Sequence, residues 1–153
     1  MVLSHVAERE GKLLTFLRGE LALSSGLVKR LKWQNAFYLD GVPVRTDARV
    51  LPGQKITVKI EEAPEGFLPQ TLPIDILYED ESLIALDKPA GQLVHPSPRK
   101  NDGTLANALL GYYAETNQPC GIHPVTRLDR DTFGVVLLAK NAHIHAKLCQ
   151  MMK

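Results

Sequence analysis

The chain has 153 residues, of which 44% are hydrophobic and 23% charged, with a formal net charge of +1; this suits one ordinary domain or two small ones and excludes a disordered chain. No apolar run is long enough to cross a bilayer, and Glu8, Arg9, Glu10 and Lys12 stand where a signal peptide needs an apolar core, so no membrane partner and a cytoplasmic location are expected. The two cysteines, Cys120 and Cys149, are expected as free thiols, and His143 and His145 are too close in sequence for a zinc-finger pair, so no metal is expected. The small net charge hides an asymmetry: residues 1–60 hold ten Lys/Arg against five Asp/Glu, and residues 61–153 hold eight against twelve. A basic first segment is an electrostatic footprint for a polyanion, although a solvated surface can be basic too.

In chain order, Leu13, Phe16 and Leu17 form a short helical stripe. A second helix is expected from Ser24 or Ser25, either of which can cap it, with Leu27, Val28 and Leu31 on one face and Lys29, Arg30 and Lys32 on the other. Two short apolar runs then meet across Asp40-Gly41, a two-residue hairpin signal, and Ile56, Val58 and Ile60 alternate as a half-buried strand. The expected order is helix, helix, hairpin, strand over residues 1–60. The stretch 61–73, with Pro64, Gly66, Pro69, Pro73 and several acids, reads as a linker. Residues 74–153 form the second expected domain. It has strands over 74–78 and 83–87, a helix carrying Leu105, Ala108, Leu109 and Tyr112, a buried strand over 134–139, and a helix capped by Asn141 with Ile144, Leu148 and Met151 on its apolar face. No Gly or Pro stop signal follows that helix, so a truncated end is expected.

The densest polar stretch is Thr126-Arg127-Leu128-Asp129-Arg130-Asp131-Thr132. On an extended backbone Arg127, Asp129 and Asp131 share a face. An Arg beside an Asp keeps the carboxylate ionised, and an ionised Asp in a cleft serves as nucleophile or general base. The same spacing also describes a surface ion pair beside a strand. Glycoside hydrolysis needs two carboxylates facing each other across a sugar in different protonation states, which neighbours on one short segment do not provide. His95 reads as a structural hydrogen-bonder that could line a pocket. No phosphate-binding glycine loop is present.

These residues resemble a known family. Arg127-Leu128-Asp129-Arg130-Asp131-Thr132, followed by Gly134 and an apolar strand ending in Ala139-Lys140, resembles the catalytic signature of the RluA-type RNA pseudouridine synthases. Ile76-Leu77-Tyr78-Glu79-Asp80, Leu86-Asp87-Lys88-Pro89-Ala90-Gly91 and Val94-His95-Pro96 look like the opening of that catalytic domain, and residues 104–110 like its next helix. The first segment is similar to the small S-four-type RNA-binding domain. Thr126 stands where many members have His, and Phe133 where a small Ser or Thr is usual.

The resemblance implies an α+β chain: a small alpha-L RNA-binding domain (helix, helix, hairpin, strand) followed by the N-terminal part of a mixed-sheet catalytic domain. It implies isomerisation of specific uridines to pseudouridine in structured ribosomal or transfer RNA, without cofactor or metal, by a monomer that takes RNA and not DNA as partner. Asp129 would be the catalytic carboxylate, attacking C1′ or removing the 2′-proton. Arg127 would hold Asp129 or help fill the space left by the flipped base. Lys29, Arg30, Lys32, Arg45 and Arg49 would contact phosphates. The alternative is a non-catalytic RNA-binding fragment whose second domain is inert.

Overall fold

In the computed structural model, which describes residues 1–153, the chain begins with a strand that its polar alternation conceals, β1 (Val2–Val6). Ser4 and His5 interrupt the apolar pattern, and no β1 residue is fully buried, because β1 is the edge of the sheet and pairs only with β6 (Lys55–Lys59). The expected order therefore gains β1 and a two-stranded ribbon of β2 (Gly11–Lys12) and β5 (Arg49–Val50). The other elements lie where periodicity puts them. Helix α1 (Leu13–Arg18) buries Leu13, Phe16 and Leu17. Helix α2 (Ser25–Lys32) buries Leu27, Val28 and Leu31, and the Ser24 hydroxyl caps it by accepting from the Leu27 amide at 3.2 Å. Strands β3 (Phe37–Leu39) and β4 (Val42–Pro43) close across Asp40 and Gly41, both at positive φ, 47° and 81°. That pair of left-handed residues matches the twist of the flanking strands. The sheet order is β1-β6-β3-β4.

The chain divides into two units, Met1–Glu61 and Glu62–Lys153. The stretch 61–73 lacks regular structure, as its prolines dictate, yet nearly all of it belongs to the second unit and is fastened there rather than spanning a gap. Glu65 accepts from the Ile122 amide (2.9 Å), the Asn107 side chain donates to Leu68 O (2.9 Å), and the Gln70 amide donates to Asn107 O (3.0 Å).

The second unit contains β7 (Asp75–Glu79), β8 (Leu83–Lys88), α3 (Leu105–Glu115), β9 (His123–Pro124), β10 (Gly134–Ala139) and α4 (Ala142–Met151). The sheet order is β7-β8-β10-β9, and every pairing is antiparallel. The tight turn from β7 to β8 and the loop that reverses β9 into β10 each join antiparallel neighbours. Alternate residues Ile84, Leu86, Val136 and Leu138 pack beneath Leu105, Ala106, Leu109 and Tyr113. Each such aliphatic or aromatic side chain contributes about 1.5–3 kcal/mol on burial, an upper estimate. Helix α4 departs from its expected stripe: His143 is buried, Ile144 and Leu148 are half-buried and Met151 is exposed. Its main packing partners are β9 and β10. No helix is long and apolar enough to cross a membrane.

Candidate active site

The antiparallel register pairs Lys88, the last residue of β8, with Gly134, the first of β10. The loop leaving β8 and the loop entering β10 therefore meet at one end of the sheet. Lys88 joins them. Its side chain is fully buried, and its ammonium donates to Pro89 O (2.8 Å), Gln92 O (2.7 Å) and Arg130 O (2.9 Å), which uses all three of its donors. Burial pushes the Lys88 pKa below its usual value, against the pull of Asp131. The Gly91 amide adds a bond to the same Arg130 carbonyl at 2.7 Å. Gly91 has φ +90°, a conformation that suits glycine.

The other wall is set by α3. The amides of Leu105 and Ala106, in its first turn, donate to Leu93 O and Val94 O, both at 2.9 Å. These donors have no partner within the helix, so the helix start fixes the 93–94 backbone. A capping box between Thr104 and Asn107 holds that start in place.

Between the two walls lies a pocket of about 420 Å³ lined by Leu93, His95, Arg127, Leu128, Asp129 and Arg130, with Val94 behind. Arg127 and Asp129 thus share a pocket, and both are exposed. They are not ion-paired. Arg130 pairs instead with Asp131, Nε to Oδ1 at 3.2 Å. The expectation that Arg127, Asp129 and Asp131 share one face of an extended strand fails because the backbone turns here: the Thr132 amide bonds Asp129 O at 3.1 Å, which swings Asp131 out of the pocket lining. The hydrogen bond from Arg130 holds the Asp131 carboxyl below its usual pKa, and the same bond raises that of Arg130.

His95 lies 3.3 Å from Pro96 O through Nδ1 and meets the Phe67 ring edge-on at 5.2 Å, so it is both a structural hydrogen-bonder and a pocket wall. Thr126 accepts from the Leu137 amide at 2.9 Å and secures the loop to β10. Phe133, 77% exposed, lines a different pocket with Pro73, Asp87, Lys88 and Leu105, and leaves the one that holds Asp129 uncrowded. Lys88 is the positioning residue that motif reading passed over. Its signal was present, because Ile84, Leu86 and Lys88 fall on alternate positions of one strand, which assigns Lys88 to the buried face.

The five basic residues of the first unit are not equivalent. Lys29 is exposed on α2, and Lys32 and Arg45 line a pocket of about 510 Å³ beside Trp33. Arg49 is ion-paired with Glu10 at 2.7 Å. Arg30 has its Nε and one terminal nitrogen buried without a hydrogen-bond partner. Elsewhere in the second unit Glu79 accepts from Lys140 (2.8 Å), Tyr112 (2.7 Å) and Gln118 (3.0 Å). Burial raises the Glu79 pKa, but these three donors outweigh it and leave the carboxyl below its usual value. No cluster of three or more His, Cys, Asp or Glu residues is arranged to hold a metal ion, and both cysteines are free thiols.

Residues 82–153 match the family described as RNA pseudouridylate synthase. An uncharacterized RNA pseudouridine synthase of Aquifex aeolicus is 36% identical over 135 residues, which is 85% of this chain and 43% of that protein. Ribosomal large subunit pseudouridine synthase D of Buchnera aphidicola is 36% identical over 128 residues, 80% of this chain and 40% of that protein. Among solved structures, human RNA pseudouridylate synthase domain containing 4 aligns with 51% of this chain and 29% of its own, at 24% identity and a TM-score of 0.41. The chain therefore spans less than half the length of these curated relatives. Over residues 82–153 the chain is thus similar to RNA pseudouridylate synthases, and the relatives that match it carry RNA pseudouridine synthase names.

Proposed function

We propose that the protein isomerises uridine to pseudouridine in RNA, with Asp129 as the catalytic carboxylate. The observation that carries this reading is the pocket that Asp129 and Arg127 share inside the segment matching the family. In the reaction the N1–C1′ bond of uridine breaks, the uracil turns while bound, and C5 bonds to C1′; the proton leaves C5 and one is gained at N1. An ionised carboxylate at the ribose serves either route, attack on C1′ or removal of the 2′-proton. Asp129 is exposed and has no ion-pair partner, so it is open to substrate. Arg127, unpaired on the same rim, supplies a cation that approaches Asp129 in the empty site or a phosphate in the filled one.

In the same reading the first unit is an S-four-type RNA-binding domain that positions the substrate. Lys29, Lys32 and Arg45 contact phosphates there, Arg49 contributes less because it is paired with Glu10, and Arg30, with two guanidinium nitrogens buried, acts on stability instead. RNA of the large ribosomal subunit is the substrate suggested by the name of the Buchnera relative. The test is to map pseudouridine in cellular RNA made without the modification, after incubation with the protein and with its Asp129→Asn variant. Wild-type protein should modify discrete uridines, and the variant should slow single-turnover conversion by at least about three orders of magnitude. A folded wild-type protein that binds RNA and modifies none of it would leave the RNA-binding module as the surviving reading.

A further inference from the structure

The first unit contains a second pocket, which the reaction does not use. Trp33 is the only tryptophan of the chain and is 83% exposed. A large ring left in water forgoes much of the burial an indole normally gains, so its placement calls for a ligand. The ring is carried on a fixed support. Trp33 is the C-cap of α2 and its amide bonds Arg30 O at 3.2 Å; the Gln34 amide bonds Leu31 O at 3.0 Å, and Asn35 at φ 50° ends the helix. Facing walls come from Phe37, which is buried, and from Val44, whose amide bonds Phe37 O at 3.0 Å.

The rim is cationic. Lys32 and Arg45 line the pocket together with the polar side chains of Asn35 and Thr46. The Asp47 carboxylate is 3.8 Å from Arg45, but both groups are largely exposed, so the pair is weak and yields readily to a stronger anion. A flat aromatic surface flanked by cations is the arrangement that binds single-stranded nucleic acid, in which a base stacks and the backbone follows the charge. Trp33 and Arg45 are also residue types found at protein interfaces, but Lys32 is not, and the excess of ten Lys/Arg over five Asp/Glu in residues 1–60 favours a polyanion.

We propose that this pocket is a nucleotide subsite of the first unit: an unpaired RNA base stacks on Trp33, with its adjoining phosphates at Lys32 and Arg45. The proposal rests on the RNA-binding reading of this unit and adds to it a preference for unstacked bases over duplex.

The test uses the full 153-residue chain and a fluorescein-labelled single-stranded RNA of about ten nucleotides, with a blunt duplex of the same sequence beside it. Anisotropy of the label reports binding, and the emission of Trp33 reports stacking independently. Single-stranded RNA should quench Trp33 in step with the anisotropy change. Trp33→Ala should weaken binding by about tenfold or more, and Trp33→Tyr should restore most of the loss. Arg45→Glu should weaken binding while the tyrosine variant's rescue persists. Because Trp33 lies on the surface, its substitution leaves the core intact. If RNA binds but Trp33 emission is unchanged and Trp33→Ala binds equally well, the subsite is overturned while RNA binding stands. If neither RNA form binds, the RNA-binding reading of the unit falls and the subsite with it. A concentration-dependent dimer abolished by Trp33→Ala would overturn it in favour of an interface between copies.

Discussion

Lys88 decides whether the candidate site holds its shape. Burying an ammonium costs several kcal/mol, and three hydrogen bonds to carbonyls, each worth about 1.5–3 kcal/mol when charge-assisted, offset that cost. In Lys88→Met the charge and its desolvation disappear, while Pro89 O and Gln92 O lose their donor; Arg130 O retains the Gly91 amide. The half-buried Gln92 O is left without a donor while the exposed Pro89 O can take water, and the loop loses its clamp, so the variant should lose about 1 kcal/mol. Urea unfolding should show a lower midpoint with an unchanged slope, and amide exchange at Gly91 should quicken. An unchanged midpoint would mean that water replaces the lysine and that the clamp is not what fixes Asp129. At this scale the sequence is legible wherever a rule depends on one strand, as Lys88 on the inward register shows. The departure of Asp131 from the face of Arg127 and Asp129 is not legible, because the turn over residues 129–132 and the pairing of Asp131 with Arg130 are set by non-alternating local contacts.

Among the elements, those with a local signal formed as read: the Ser24 cap, the Asp40-Gly41 turn, and the alternating strand of Ile56 and Val58. Strand β1 escaped because an edge strand buries little and needs no clean alternation. The stretch 61–73 escaped for a different reason. Its composition announces the absence of regular structure, but what holds it is non-local, namely the side chains and amides of Asn107, Ile122 and Ala142. Gly111 in α3 records the consequence. A Cβ there would lie 2.1 Å from Gln70 O, a backbone atom that cannot move aside cheaply. In Gly111→Ala the helix gains about 1 kcal/mol of intrinsic propensity, while overpacking costs about 1–3 kcal/mol. Displacing residues 68–70 also loses the bonds from Asn107 to Leu68 O and from Gln70 to Asn107 O. The net expectation is a loss of about 2 kcal/mol by chemical denaturation, with faster exchange of the Gln70 amide. A gain in stability would show that the stretch is loosely attached after all.

For the whole molecule, the charge asymmetry is the feature that composition alone revealed, and the structure sharpens what it predicts. The ten basic residues of segment 1–60 do not form an equivalent set. Lys29 is exposed, Arg49 already faces Glu10 at 2.7 Å, and Arg30 has buried guanidinium nitrogens. Affinity for single-stranded RNA should fall with salt by about 0.7 in log–log slope for each phosphate neutralised. Lys29→Ala and Lys32→Ala should each reduce the magnitude of the slope by about 0.7, because each removes one cation with no carboxylate at hand. Arg49→Ala should change it less, since part of that charge is spent on Glu10. Arg30→Ala should leave the slope alone and act on stability, through a guanidinium half-sunk beside α2. Binding titrations at several salt concentrations separate these cases. Equal slopes for wild type and both lysine variants would take the charged face of α2 out of the RNA contact and move the footprint to the other basic residues of the unit.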